Sequence, residues 1–209
     1  MVKIEGLGYH YKNGKQMLHF PNIILKKAEH LLILGASGVG KTTLLHLIAG
    51  ILPSQEGEIC INETKINNLS PHKLDDFRGK NIGLIFQKNH AIQTLSIEDN
   101  LKARLFLSKK PVDYKAIATL LIELNLYDFK DAKPKHLSHG QLQRLCVALA
   151  IIHKPQLILA DEPTSSLDLE NSKIVIELLK EQAKKNNANL IVITHDERIK
   201  SYFKNEISL

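Results

Sequence analysis

Short apolar runs recur along the chain and alternate with stretches of helical spacing. Val2-Lys3-Ile4 alternates, Asn22-Ile23-Ile24-Leu25 is strand-like, and Gly57-Glu58-Ile59-Cys60-Ile61 is a further short strand set apart by Pro53 and Gly57. Lys12-Asn13-Gly14-Lys15 is a turn signal. Among these strands lie the apolar run Leu31-Leu32-Ile33-Leu34 and a segment of helical potential, Leu44-Leu45-His46-Leu47-Ile48. Ile82 to Phe86 is another apolar run and ends at Gln87. The middle of the chain then turns helical. Ser96 with Asp99 predicts a capped helix carrying Ile97, Leu101 and Leu105, and Asp113 caps a second with Ile117, Leu120, Leu121 and Leu124. Pro134 breaks the chain, and Ser138 caps a third helix reaching to about His153. After Pro155 come a buried strand (Leu157 to Ala160), a helix from Asn171 to about Lys185, and a second buried strand (Leu190 to Ile193). Continuous apolar strands alternating with helices predict an α/β fold with a mainly parallel sheet covered on both faces. The helical middle, about residues 88–145, reads as an insertion into it.

The chain has 209 residues, enough for one α/β domain with a smaller subdomain. No apolar run approaches the roughly 20 residues that span a bilayer. Met1 to Glu5 lacks the apolar core of a signal peptide. The expectation is a cytosolic protein, at most attached to a membrane from that side. Net charge is +6, but the lysines are scattered and no aromatic cluster or basic helix accompanies them, so a nucleic-acid partner is not expected. Cys60 and Cys146 show neither metal-ligand spacing nor a redox C-x-x-C and are read as small buried side chains.

Gly35-Ala36-Ser37-Gly38-Val39-Gly40-Lys41-Thr42 fits the pattern G-x-x-x-x-G-K-[ST] at every fixed position, between a strand and a helix. Glycines allow a tight turn that aims successive N–H groups at phosphate oxygens, and a helix N-terminus adds its positive dipole end. Lys41 can reach the β- and γ-phosphates, Thr42 can join a Mg²⁺ shell, and Thr43 completes the nucleotide-binding set. Asp161 and Glu162 end an apolar strand, where ligands and catalytic groups of parallel sheets gather. Asp161 is the candidate Mg²⁺ ligand and Glu162 the candidate base for the attacking water. Ser138-His139-Gly140-Gln141 opens a helix whose N–H groups and Gly140 backbone form a second candidate anion site.

In this order the P-loop, Gln87, Leu137 to Gln141, Asp161-Glu162, Ser165-Ser166-Leu167-Asp168 and His195 make the chain resemble, over nearly its full length, an ATP-binding-cassette (ABC) transporter ATPase subunit. The resemblance is greatest to the lipoprotein-releasing, macrolide-exporting and cell-division group, through residues 44–50 and 161–168. It implies a P-loop NTPase fold with an N-terminal antiparallel β subdomain and an inserted helical subdomain. It implies ATP and Mg²⁺ as cofactors, Tyr11 rather than Tyr9 stacking on adenine, Gln87 touching Mg²⁺ and the attacking water, and His195 bonding the γ-phosphate. It further implies a second ATPase subunit, most simply an identical one. In such a pair Ser138, His139, Gly140 and Gln141 bind the ATP held by the opposite subunit, and Ser166 and Asp168 lie on the loop between subunits. Integral membrane permease subunits would be separate polypeptides, and the ATPase would sit on the cytoplasmic face of the cell membrane.

Two other function classes remain in view. A non-transport cassette ATPase acting on nucleic acid or ribosomes is favoured only by the basic charge. A non-catalytic nucleotide-binding partner is disfavoured by the intact Lys41, Asp161, Glu162 and His195. The chain departs from the family pattern twice. His139 stands where glycine is usual, and Leu149 replaces an arginine of the following helix. The backbone N–H survives at 139, while an imidazole adds bulk and a titratable charge near a phosphate. ATP hydrolysis is therefore expected to depend mildly on pH through His139. The pH–rate profile of His139→Gly, compared with the parent, tests this, and superimposable profiles would refute it.

Overall fold

A computed structural model describes residues 1–11, 17–87, 90–165 and 167–209. The turn expected at Lys12 to Lys15 and the expected loop residue Ser166 lie outside the described residues. Two sheets form. In the first, β1 (Val2–Tyr9) pairs antiparallel with β2 (Leu18–His19), β3 (Ile23–Leu25) and β5 (Glu56–Ile61), and β5 pairs with β6 (Thr64–Lys65). Gly57 fixes the β1–β5 approach: at φ 77° a side chain there would place its Cβ 2.4 Å from the Glu5 carbonyl oxygen. The second sheet is parallel throughout, in the order β10 (Asn205–Ser208), β4 (His30–Leu34), β9 (Asn189–Thr194), β8 (Leu157–Asp161), β7 (Ile82–Ile85).

The period-2 alternation of the parallel strands divides the interior into two cores. Leu31 and Ile33 of β4, Leu157 and Leu159 of β8, and Ile191 and Ile193 of β9 face the antiparallel sheet. Helix α1 (Lys41–Ile48) fills the space between the sheets with Leu44, Leu45, Leu47 and Ile48. The intervening residues Leu32, Leu34, Ile158, Ala160, Leu190 and Val192 face a helical layer. That layer holds α3 (Ile97–Leu107), α4 (Tyr114–Glu123), α5 (His139–Ile151) and α6 (Leu169–Lys185). Both faces of the sheet are thus covered. Each fully buried leucine or isoleucine contributes about 1.5–3 kcal/mol. Among the described residues no helix is long and apolar enough to cross a membrane.

The caps explain where the helices begin. Ser96 accepts the Asp99 N–H, and Asp113 accepts that of Ala116. Ser138 and Gln141 form a reciprocal capping box at α5. Helix α6 starts at Leu169, earlier than expected, because Asp168 accepts the Asn171 N–H at 2.8 Å. Two elements escape the sequence pattern. Helix α2 (Pro71–Asn81) packs only the half-buried Leu74 and Phe77 on the core, and β10 packs only Ile207, so neither carries a long apolar stripe. Helix α5 ends at Ile151 rather than near His153 and runs past the expected subdomain limit at 145 to pack on β7. The cysteines are half-buried rather than buried, and burial pushes the Cys146 thiol up to about 11.

A buried polar joint ties α3 to α5 and β7. The Arg104 guanidinium donates from Nε to the Leu149 carbonyl (3.3 Å), from Nη1 to Ser108 Oγ (3.0 Å), and from Nη2 to the Ile82 carbonyl (3.2 Å) and to His153 Nε2 (2.9 Å). Leu149 thus meets an arginine from another helix through its backbone carbonyl. His153 Nε2 also lies 3.2 Å from the Ile82 carbonyl, but a guanidinium only donates, so at the shorter 2.9 Å contact Nε2 accepts from Arg104 and the imidazole is neutral. Its ring is fully buried. Burial, with Arg104 second, pushes its pKa down to about 3. Below pH 6.5 the unfolded chain takes up a proton that the folded chain refuses, so stability falls as pH drops. The slope approaches about 1.4 kcal/mol per pH unit. His153→Gln keeps an acceptor for Arg104 without the titration. Thermal denaturation from pH 7.5 to 5 should show the variant gaining on the parent as pH falls below 6.5, and parallel curves would contradict a neutral His153.

Candidate functional site

The phosphate-loop segment leaves β4 at Leu34 and enters α1 at Lys41. Gly38 and Gly40 turn it with φ of 87° and 103°, a region open to glycine. No side chain caps α1 and no acidic residue occupies its first turn, unlike α3, α4, α5 and α6, whose caps are side chains. The N-terminal N–H groups of α1 are therefore left to an anion. Lys41 is 7% exposed, and its ammonium donates to the carbonyls of Gly35 (2.8 Å) and Ala36 (2.9 Å). It lies 3.8 Å from Glu162 Oε1. Gly35 and Ala36 thus hold the lysine, and Val39 packs against Gly35.

Thr42 donates its hydroxyl to Asp161 Oδ2 at 2.8 Å, linking α1 to the end of β8. Asp161 Oδ1 is buried and has no hydrogen-bond partner. Burial raises the Asp161 pKa, the Thr42 hydrogen bond opposes the rise, and the Glu162 charge adds to it. A buried carboxylate with an orphaned oxygen, beside a hydroxyl, fits a hard divalent cation that takes its remaining oxygens from phosphates and water. Among the described residues no group of three or more His, Cys, Asp or Glu side chains forms a self-sufficient metal cage.

Glu162 follows directly, with φ of 50°, a strained conformation for a glutamate. Its N–H donates to the Ile193 carbonyl at 2.8 Å. Its Oε2 accepts from Thr194 Oγ1 (2.7 Å), and its Oε1 accepts from the His195 N–H (3.1 Å) and contacts His195 Nδ1 (2.8 Å). Ser37, Gly38, Gly40, Lys41, Thr42, Thr43, Gln87, Glu162 and His195 together line a polar cavity of ≈ 250 Å³. The P-loop, the end of β7, the end of β8 and the end of β9 therefore meet in one pocket.

Other expected site residues lie outside it. Tyr11 is half exposed and contacts Thr43 Oγ1 through its hydroxyl at 2.9 Å, while its ring meets Tyr9 edge-on. Ser138 and His139 are exposed and Gly140 and Gln141 half-buried, all away from the cavity. The capping box occupies the Gln141 N–H (3.3 Å) and the Ser138 N–H (2.8 Å), two donors that the sequence reading left open. A Cβ at Gly140 would meet nothing closer than Arg144 Nη1 at 4.0 Å, so internal packing does not demand glycine there. Asp168 is exposed and caps α6.

The residues that brace the site carry no role legible in the sequence. Thr194 holds Glu162 and accepts the Asp196 N–H. Asp196 accepts from Thr164 Oγ1 (3.0 Å) and takes both arms of Arg198 (2.7 and 2.8 Å). Arg198 holds Asp196 well below the usual carboxylate range despite burial. Gln143 Nε2 donates to the Pro163 carbonyl at 2.8 Å. Adjacency to Glu162 or His195 was the available signal for Thr194, Thr164 and Asp196. Gln143 had none.

Known proteins place the chain among relatives. The ABC transporter family profile matches residues 18–165. The bacitracin export ATP-binding protein BceA of Halalkalibacterium halodurans is 36% identical over 195 residues, 91% of this chain and 76% of that protein. The lipoprotein-releasing system ATP-binding protein LolD of Buchnera aphidicola is 37% identical over 201 residues, 94% and 88% of the two chains. The dimeric ATP-binding cassette MJ0796 in a post-hydrolysis state with ADP and Pi superposes with a TM-score of 0.88 at 31% identity, covering 100% of this chain and 94% of that one. CbiO1 of Clostridium perfringens, part of the cbiONQ transporter complex, superposes at 0.88 with 30% identity, over 99% and 83%. With its P-loop, Glu162 and His195 gathered in one cavity and a family match over residues 18–165, the chain belongs to the ABC transporter ATP-binding family.

Proposed function

We propose that this ATP-hydrolysing subunit of an ABC transporter clamps ATP between two copies of itself and so drives a separate membrane permease from the cytoplasmic face. The observation that carries the reading is the single polar cavity joining Lys41, Thr42, Gln87, Glu162 and His195, while Ser138 and Gly140 of the same chain face elsewhere. A signature that does not reach its own phosphate pocket is suited to a second copy's pocket. LolD and BceA, named for lipoprotein release and bacitracin export, support an envelope-directed transporter, and the dimeric cassette supports the pairing.

On ATP binding, the triphosphate enters residues 35–42, and Lys41 exchanges the Gly35 and Ala36 carbonyls for β- and γ-phosphate oxygens. Thr42 and Asp161, with Gln87, would hold Mg²⁺, which neutralises the phosphate charge when bound. The adenine lies on Tyr11. His195 turns toward the γ-phosphate and uncovers Glu162 Oε1, leaving that carboxylate to orient and deprotonate the attacking water. Ser138, His139, Gly140 and Gln141 of the second copy close over the γ-phosphate, and Asp168 lies between the subunits. Cleavage removes those contacts and the pair opens.

The permease docks beside this machinery. A cavity of ≈ 520 Å³, mostly apolar, lies among α2, β7, α3 and α5 and includes Phe86, next to Gln87. Phe106 and Leu107 are exposed at 76% and 67% beside it. An apolar permease segment seated there would touch the strand that carries Gln87.

Glu162→Gln should bind ATP, lose roughly 100-fold or more of its turnover, and accumulate an ATP-bound dimer in size-exclusion chromatography. Lys41→Ala should lose nucleotide binding. Hydrolysis by Glu162→Gln at the parent rate, or tight ATP binding by Lys41→Ala, would refute these roles. A tagged chain drawn from a detergent extract should bring a multi-span membrane protein with it. Salt-sensitive capture of RNA or DNA in its place would favour the nucleic-acid class.

A further inference from the structure

We infer that Gln143 is a positioning residue that lets each subunit's signature helix set the geometry of its own catalytic carboxylate. This rests on the proposed binding of the signature to a second copy's ATP. Helix α5 starts at His139, one residue after the Ser138 cap, and Gln143 lies just under one turn from Gly140. From there its Nε2 reaches across to the Pro163 carbonyl at 2.8 Å. Pro163 is buried and immediately follows Glu162, the residue held at positive φ. That carbonyl belongs to the Pro163–Thr164 peptide, one peptide beyond Glu162, and the fixed φ of Pro163 passes its position back to the Glu162 backbone.

The rest of the segment is held from the opposite side. Thr164 Oγ1 donates to Asp196, beside His195, at 3.0 Å, and the Leu167 N–H returns to the Thr164 carbonyl at 3.0 Å. The turn after Glu162 is therefore suspended between α5, through Gln143, and the His195 segment, through Thr164. A shift of α5 on closing over a second copy's phosphate pulls on the Pro163 carbonyl and is registered at Glu162. Because each chain both donates a signature and holds a nucleotide, this link couples the two ATP sites of the pair.

The test uses the purified chain with MgATP and the variant Gln143→Met, which keeps length and loses the donor. Loss of one positioning hydrogen bond should lower kcat by about threefold to tenfold. KM should stay near the parent value, and the Hill coefficient for ATP should fall from above 1 toward 1. Parent-like kcat and Hill coefficient in Gln143→Met would overturn the relay. So would a lowered kcat accompanied by a large drop in Tm and an unchanged Hill coefficient, which marks a merely structural contact. A parent chain that shows no cooperativity and no ATP-dependent pairing in the Glu162→Gln background would overturn the shared-site reading and the relay together. A cooperative parent with an equally cooperative Gln143→Met overturns the relay alone.

Discussion

The parallel register of β4, β9 and β8 governs where every reacting group stands. Leu34 pairs with Thr194, and Asp161 pairs with Ile193. The strands run out at nearly one level, and the chain emerges from them as the phosphate loop, the His195 segment and the Asp161-Glu162 pair. Parallel pairing also forces the same alternation on each strand, so both faces must be covered. The antiparallel sheet with α1 covers one face, and α3 to α6 cover the other. The apolar interior thus exists largely to keep a small polar rim in register.

That rim is strained and unbalanced. Glu162 sits at φ 50°, a conformation that disfavours glutamate by roughly 1–3 kcal/mol. Its N–H to Ile193, its carboxylate bonds to Thr194 and His195, and the Gln143 grip on the next carbonyl offset the strain. Lys41 faces backbone carbonyls and the α1 N-terminus lacks a side-chain cap. Positive charge and donors are concentrated on one wall, carboxylates on the other. A phosphate chain with its cation meets both needs at once.

Much of this was legible in the sequence because the pertinent segments are apolar, short and bounded. Leu31 to Leu34, Leu157 to Ala160 and Leu190 to Ile193 cannot sit anywhere but inside, and Gly35, Asp161 and Thr194 mark their ends. The caps at Ser96, Asp113 and Ser138 were equally plain. What escaped is what burial does not encode. Helix α2 and strand β10 are mostly polar and touch the core through only Leu74, Phe77 and Ile207, at a strand entry and a sheet edge. The bracing contacts of Gln143 and Arg104 join residues distant along the chain and end largely on backbone carbonyls, and a carbonyl leaves no trace in residue identity. The Arg104 bond to the Leu149 carbonyl was not visible, because the two positions meet only after α3 folds onto α5.

Arg104 grips the carbonyl of Ile82, the first residue of β7, and Gln87 lies just beyond the last. Between them is a strand hydrogen-bonded along its length to β8, about 10 Å of stiff backbone from Ile82 to Ile85. Such a rod transmits displacement with little loss. A tilt of the helical layer about the sheet would therefore arrive at the glutamine as a change of position relative to the bound phosphates. Motion outside the pocket becomes geometry within it, with no loop having to unfold along the way.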